Sequence, residues 1–196
     1  ILAASEVFAY RHGRERGSYA GFADLFRYKL LRDRGGWWVD TDVVCLATEV
    51  PEEDIGLAPE QPGRINGAIM RFPAGHPAMQ AAYDMALAAG KDIRFCDTGP
   101  VCLTAGVERL ALAPLLAPQH AYYPLHWSEF MAVILPARRA FVGERLSGAV
   151  FLHLWNEMFR RTSYDKAVRA PIGSFLYDLY AEAGMLGDFA FAFIPR

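Results

Sequence analysis

Cysteine is scarce in this chain. Cys45, Cys96 and Cys102 are its three cysteines in 196 residues, an odd count without paired spacing. That pattern excludes a disulfide framework and a cysteine-based zinc site, and the three are expected to be reduced core residues in a cytosolic compartment. No apolar run approaches the ~20 residues of a membrane span, and no signal peptide is visible. An excess of one charge is also missing: 20 Lys and Arg against 22 Asp and Glu leave a formal net charge of −2. This lacks the basic footprint that nucleic acid or an anionic membrane surface would call for. Basic clusters at Arg11, Arg14 and Arg16, and at Arg160 and Arg161, read as solvated faces. Internal repeats, low-complexity stretches and linkers are absent, so a single domain over residues 1–196 is expected. The cytoplasm is the expected location, with peripheral attachment at a membrane as the second expectation.

What is present is a globular composition, 53% apolar and 21% charged, with enough length for a real core. From about Ser18 the pattern is helical. Phe22, Leu25, Phe26 and Leu30 define an apolar face, and Asp24, Arg27 and Tyr28 share another. Gly35-Gly36 ends that helix. The run from Trp37 to Leu46, rich in aromatic and β-branched residues, predicts one buried strand. A second strand is expected over Arg64–Phe72, then a turn at 73–77 and a helix over Ala78–Ala89. Thr98 is the expected N-cap of a helix running to about Ala111, with Pro100 in its first turn. Tyr122-Tyr123-Pro124 reads as extended, Ala149–Trp155 as a short strand and Ile172–Ala183 as a final helix. The alternation argues for an α/β fold with a mainly parallel sheet flanked by helices.

Within the first predicted strand sits an anomaly, Asp40-Thr41-Asp42. In a strand both carboxylates leave on the same side of the sheet, and burying two charges costs several kcal/mol each without compensation. A hard divalent cation is the natural partner for such a pair, and Mg2+ or Mn2+ would keep positions open for phosphate oxygens. The bland alternative is an acidic structural turn.

Taken together, Phe22-Ala23-Asp24-Leu25-Phe26-Arg27-Tyr28 and Gly35-Gly36-Trp37-Trp38-Val39-Asp40-Thr41-Asp42 resemble glycosyltransferases with a DXD sugar-binding region. These include glycosyltransferase family 32, the α-1,4-galactosyltransferases and bacterial capsular-polysaccharide transferases. Further similar pieces follow in order: Asn66-Gly67-Ala68-Ile69-Met70, Thr98-Gly99-Pro100 with Leu103-Thr104, Tyr123-Pro124, and His153-Leu154-Trp155-Asn156. The resemblance implies a GT-A-like fold, a nucleotide-sugar donor, Mn2+ or Mg2+, a saccharide or other hydroxyl acceptor, and retention of anomeric configuration. A UDP-linked hexose is the donor favoured by association. Such domains open with strands that form a nucleobase pocket, for which this chain has only roughly twenty residues. The domain is therefore expected to be N-terminally incomplete, lacking its first strands, or to be a minimal version of the fold.

Carried over, Asp24 and Arg27 face the donor, the acid toward sugar hydroxyls and the guanidinium toward sugar or phosphate; an intrahelical salt bridge is the alternative. Asp42 is expected to bind the metal. Asp40 binds it too, or reaches ribose, sugar or a metal-bound water. Trp38 packs near the donor or in the core, and Asn66 bonds the donor sugar or makes a turn. His153 is the expected third metal ligand, with a satisfied core histidine as its alternative, and Trp155 lies near the donor. Phe159 stands where these families often carry a further tryptophan. Asp97 contacts the acceptor hydroxyl at the site's mouth, or stabilises a helix start.

Two other readings compete. A binding module of the same build that has lost catalysis would still bind nucleotide diphosphate with metal. A haloacid-dehalogenase-type phosphatase also uses Asp-X-Asp, but Lys91 and Lys166 come without the acidic pair that it needs downstream.

Overall fold

A computed structural model describes residues 2–12, 16–91, 93 and 96–189; Arg14 lies outside them. Helix α1 (Ala20–Arg34) ends where the glycine pair predicts. Gly35 has φ +64°, its N–H closes on Leu31 O at 2.8 Å, and a Cβ there would stand 2.5 Å from Ala74 N. Only glycine fits both the conformation and the contact. The buried face of α1 differs from the one expected. Leu25, Tyr28 and Leu31 are in the core and take Asp24 and Arg27 inside with them, whereas Phe22 and Phe26 are half-buried. The polar side of the helix is buried because other elements supply its partners, as described below.

The predicted ten-residue strand is two short ones. Strand β1 (Gly36–Val39) and strand β2 (Val43–Cys45) are separated by Asp40, Thr41 and Asp42, because the carboxylates form a turn rather than lying in a sheet. After β3 (Pro59–Gln61), the second predicted strand also divides, into β4 (Arg64–Ile65) and β5 (Ile69–Phe72) around Asn66-Gly67-Ala68. Three pairings form: β1 with β5, β2 with β6 (Phe151–His153), and β3 with β4. All are antiparallel, against the parallel sheet expected. A parallel pair needs a long crossover, usually helical, and the described residues between β1 and β5 contain no helix. The result is a mixed α/β structure with small antiparallel sheets.

The chain divides into two compact units, Ile1–Thr41 with Glu49–Tyr122, and Asp42–Thr48 with Tyr123–Arg196. In the first, α1, α2 (Pro77–Ala89) and α3 (Pro100–Arg109) enclose a core of Leu25, Tyr28, Leu57, Met70, Phe72, Met79, Leu103 and Val107. Helix α4 (Gln119–Tyr122) follows. Its inclusion of Tyr122 departs from the extended reading of that stretch. The N-cap of α3 is Gly99; Thr98 is not the cap, because its hydroxyl is engaged elsewhere.

In the second unit a 3-10 helix (Trp127–Ile134), α5 (Arg139–Arg145), α6 (Asn156–Arg160) and α7 (Phe175–Glu182) pack around Leu125, Val133, Val142, Leu152, Phe159 and Leu176. Ser174 caps α7, accepting from Tyr177 N–H. The cysteines are free, but only Cys102 is buried, and Cys45 is exposed at the last position of β2. Among the described residues, no helix is long and apolar enough to cross a membrane.

Candidate functional site

In the first unit, α1 and the end of β1 carry a polar cluster. Asp24 and Arg27 occupy successive turns of α1 and are 9% and 8% exposed. The Arg27 guanidinium lies 3.5 Å from Asp24 Oδ1 and 3.3 Å from Asp40 Oδ1, and Nη1 donates to the Gly67 carbonyl at 2.6 Å. It also sits over the Trp38 ring, 5.0 Å from its centroid. Trp38 Nε1–H donates to Asp40 Oδ1 at 2.6 Å. From α3's entry, the Thr98 hydroxyl donates to Asp24 Oδ2 at 2.8 Å, and the Tyr28 hydroxyl donates to the Thr98 carbonyl at 2.7 Å.

Desolvation pushes the Asp24 carboxyl above its ordinary range. Arg27 and the Thr98 hydroxyl pull it back in part, and Asp40 adds to the rise. Burial of this group is tolerated because it is paired and hydrogen-bonded.

Gly67 has a steric reason to be glycine: a Cβ there would stand 2.9 Å from Leu103 Cδ1 and 3.3 Å from Arg27 Nη1. The preceding Asn66 is engaged within the fold. Its Nδ2 donates to the buried Glu60 at 2.5 Å, and its Oδ1 accepts from Ala68 N–H at 2.7 Å, an Asx-type turn. Asp97 is half-buried in the turn before α3, next in sequence to Thr98. Its carbonyl accepts from Cys102 Sγ at 3.2 Å.

The second unit holds Asp42 and His153. The β2–β6 register sets Val43 opposite His153, and Leu154 N–H donates to the Asp42 carbonyl at 2.8 Å. The side chains then meet: His153 Nε2 is 3.2 Å from Asp42 Oδ2, which also accepts from Asn156 N–H at 2.8 Å. Burial alone would raise the Asp42 carboxyl, but the His153 hydrogen bond and charge and the Asn156 N–H outweigh it and hold the group below its ordinary value.

His153 is 8% exposed, and its Nδ1 is buried without a hydrogen-bond partner. Trp155 packs on its ring with centroids 4.1 Å apart, and Tyr123 stands 6.0 Å from both rings. Trp155 is itself buried, donates from Nε1 to the Leu125 carbonyl at 3.0 Å, and has φ +55°. That left-handed backbone costs a bulky residue about 1–3 kcal/mol. Phe159 packs edge-on against Phe130 in the core, with ring centroids 5.0 Å apart.

Sequence reasoning singled out Asp24, Arg27, Trp38 and Asp40, and the first unit brings these four together. The second unit does the same for Asp42, His153 and Trp155. Two contributors were missed. Thr98, read as a cap, holds Asp24. Lys166, whose Nζ donates to Asn156 Oδ1 at 2.5 Å, carried no signal as a site residue.

Carboxylate oxygens suit Mg2+ or Mn2+, and an imidazole nitrogen beside them tilts the donor set toward a transition-metal ion such as Mn2+. Neighbouring ligand atoms on an octahedral ion with bonds near 2.1 Å lie about 3 Å apart, and the Asp42–His153 separation of 3.2 Å fits that spacing.

No protein family and no curated protein matches the chain. Among solved structures it is similar to one described as "PaToxG Glycosyltransferase", at 16% identity and a TM-score of 0.39. The match covers 74% of this chain and 54% of that one, so the chain spans about half of that protein's length.

Proposed function

We propose that this chain is a glycosyltransferase that takes a sugar from a nucleotide-sugar donor with the help of a divalent cation. The observation that carries the reading is the convergence of Asp42 Oδ2 and His153 Nε2 at 3.2 Å, with Asp40 two residues earlier in the chain. Asp42 and His153 are the proposed ligands for Mn2+ or Mg2+, and Asp40 is the proposed third by its place in the Asp-X-Asp pair. When bound, the cation supplies Lewis-acid stabilisation of the charge on a departing diphosphate.

The remaining roles belong to the protein. Asn156 N–H fixes the oxygen of Asp42 that faces His153, and Trp155 with Tyr123 holds the imidazole ring. Arg27 offsets the charge of Asp40, so the acidic pair does not repel itself apart. Asp24, Arg27 and Trp38 form the donor-side wall, Asn66 shapes it through its turn, and Asp97 contacts the acceptor hydroxyl. Transfer with retention needs no protein nucleophile if the leaving phosphate accepts the acceptor's proton on the same face. A UDP-linked hexose is the proposed donor, and a saccharide is the proposed acceptor.

The test is nucleotide-sugar hydrolysis and binding across UDP- and GDP-sugars, with and without Mn2+, on wild type and Asp42→Ala. One donor should turn over only with metal, and the variant should lose at least about 100-fold of that rate, since loss of a direct ligand should cost no less than loss of the groups that support one. Absence of metal-dependent binding for every donor would sink the proposal.

A further inference from the structure

Resting on that reading, the surroundings of Asp40 decide how it can serve a cation. We infer that Trp38 and Arg27 are positioning residues that clamp Asp40 Oδ1 and leave Oδ2 as the single oxygen this acid offers. The indole N–H bond to Oδ1 is short, 2.6 Å, and the guanidinium approaches the same oxygen at 3.3 Å. A hydrogen bond and an ion pair on one oxygen restrict rotation about the Cβ–Cγ bond. Charge-assisted bonds of this kind are about twice as strong as neutral ones.

The clamp is braced from behind. Arg27 Nη1 is tied to the Gly67 carbonyl at 2.6 Å, and Asp40 N–H donates to the neighbouring Ala68 carbonyl at 2.8 Å. Backbone and side chain of Asp40 are thus referenced to adjacent residues, Ala68 directly and Gly67 through Arg27. Trp38 fixes both members at once, because its ring face carries the guanidinium, 5.0 Å from its centroid, while its edge donates to the carboxylate. Arg27 acts through Asp40, since Asp24, Asp40 and the Gly67 carbonyl already share its fork.

Trp38→Phe bears on these functions unequally: it keeps a smaller aromatic ring for Arg27 and removes the N–H that holds Asp40. The probe is Mn2+ alone, titrated into the full chain and followed by the electron paramagnetic resonance signal of the free ion. Trp38→Phe should bind about tenfold more weakly, the lower end of the effect of supporting groups on metal affinity, while remaining folded by circular dichroism at the titration temperature. Wild-type affinity in this variant overturns the clamp. Asp42→Ala in the same titration keeps the two ideas apart: if it binds like wild type the metal reading itself fails, whereas its loss beside an unaffected Trp38→Phe overturns the clamp alone. A metal-free readout is the Trp38 indole N–H resonance, assigned by its disappearance in Trp38→Phe. It should move upfield in Asp40→Asn as the acceptor loses its charge, and an unmoved signal overturns the clamp as well.

Discussion

At the scale of single residues, the polar groups buried in α1 carry far more energy than an exposed i,i+3 pair would. An exposed Asp24–Arg27 pair would add a few tenths of a kcal/mol. Buried, Arg27 holds Asp24 and Asp40 together, and removal of one partner would leave an uncompensated charge at about 3–5 kcal/mol.

Asp24 has a testable pH signature. Its folded-state value is raised, chiefly by burial, so its contribution to stability is fully present below the ordinary carboxyl value of about 3.9. That contribution is lost as pH rises through the folded value. In urea melts, Asp24→Asn should therefore gain stability relative to wild type as the pH is taken from about 4 toward neutral. A relative stability that falls instead would mean that Arg27 keeps this carboxyl ionised and low. Asp24 and Arg27 were legible in sequence as a pair on one helix; that their face is the buried one was not, because the acceptors and donors that satisfy them come from Gly67 and Thr98.

At the scale of elements, helices were the readable part. Gly35 stops α1, the Pro77 turn starts α2, and Pro100 starts α3, each through local backbone chemistry. Strands were read as longer than they are, since hydrophobic pattern says nothing about where a pair of carboxylates leaves the sheet. Inside α3, Gly106 is buried and lines a small apolar cavity with Leu57, Phe72, Met79 and Val107. A Cβ there meets nothing within 4 Å. Gly106→Ala should stabilise the protein by about 1 kcal/mol, the helix-propensity difference, visible as a higher melting temperature. A lower one would mean that the helix backbone must shift to admit even a methyl group.

At the scale of the whole molecule, two cores form along one chain, which passes between the units after Thr41, after Thr48 and after Tyr122. Folding and metal binding are linked whenever the ligands exist only in the folded state. Mn2+ at about 100 times its dissociation constant should add about 2.7 kcal/mol to stability and raise the melting temperature of wild type. Asp42→Ala should show no such rise, and equal shifts in both proteins would place the ion elsewhere.

Sequence by itself determined the Asp-X-Asp pair, the glycines that end α1 and allow the Gly67 turn, and the presence of helices α1, α2 and α3. These depend on local dihedral preferences and on periodicity, which a few consecutive residues encode. Tertiary structure decided that every described strand pair is antiparallel, that Thr98 serves Asp24 rather than capping α3, and that Asp42 meets the segment of His153 and Asn156, the latter 114 residues away. Such a meeting is selected by the summed packing of β2 on β6 and of the core beneath them, a quantity carried by no stretch of sequence alone.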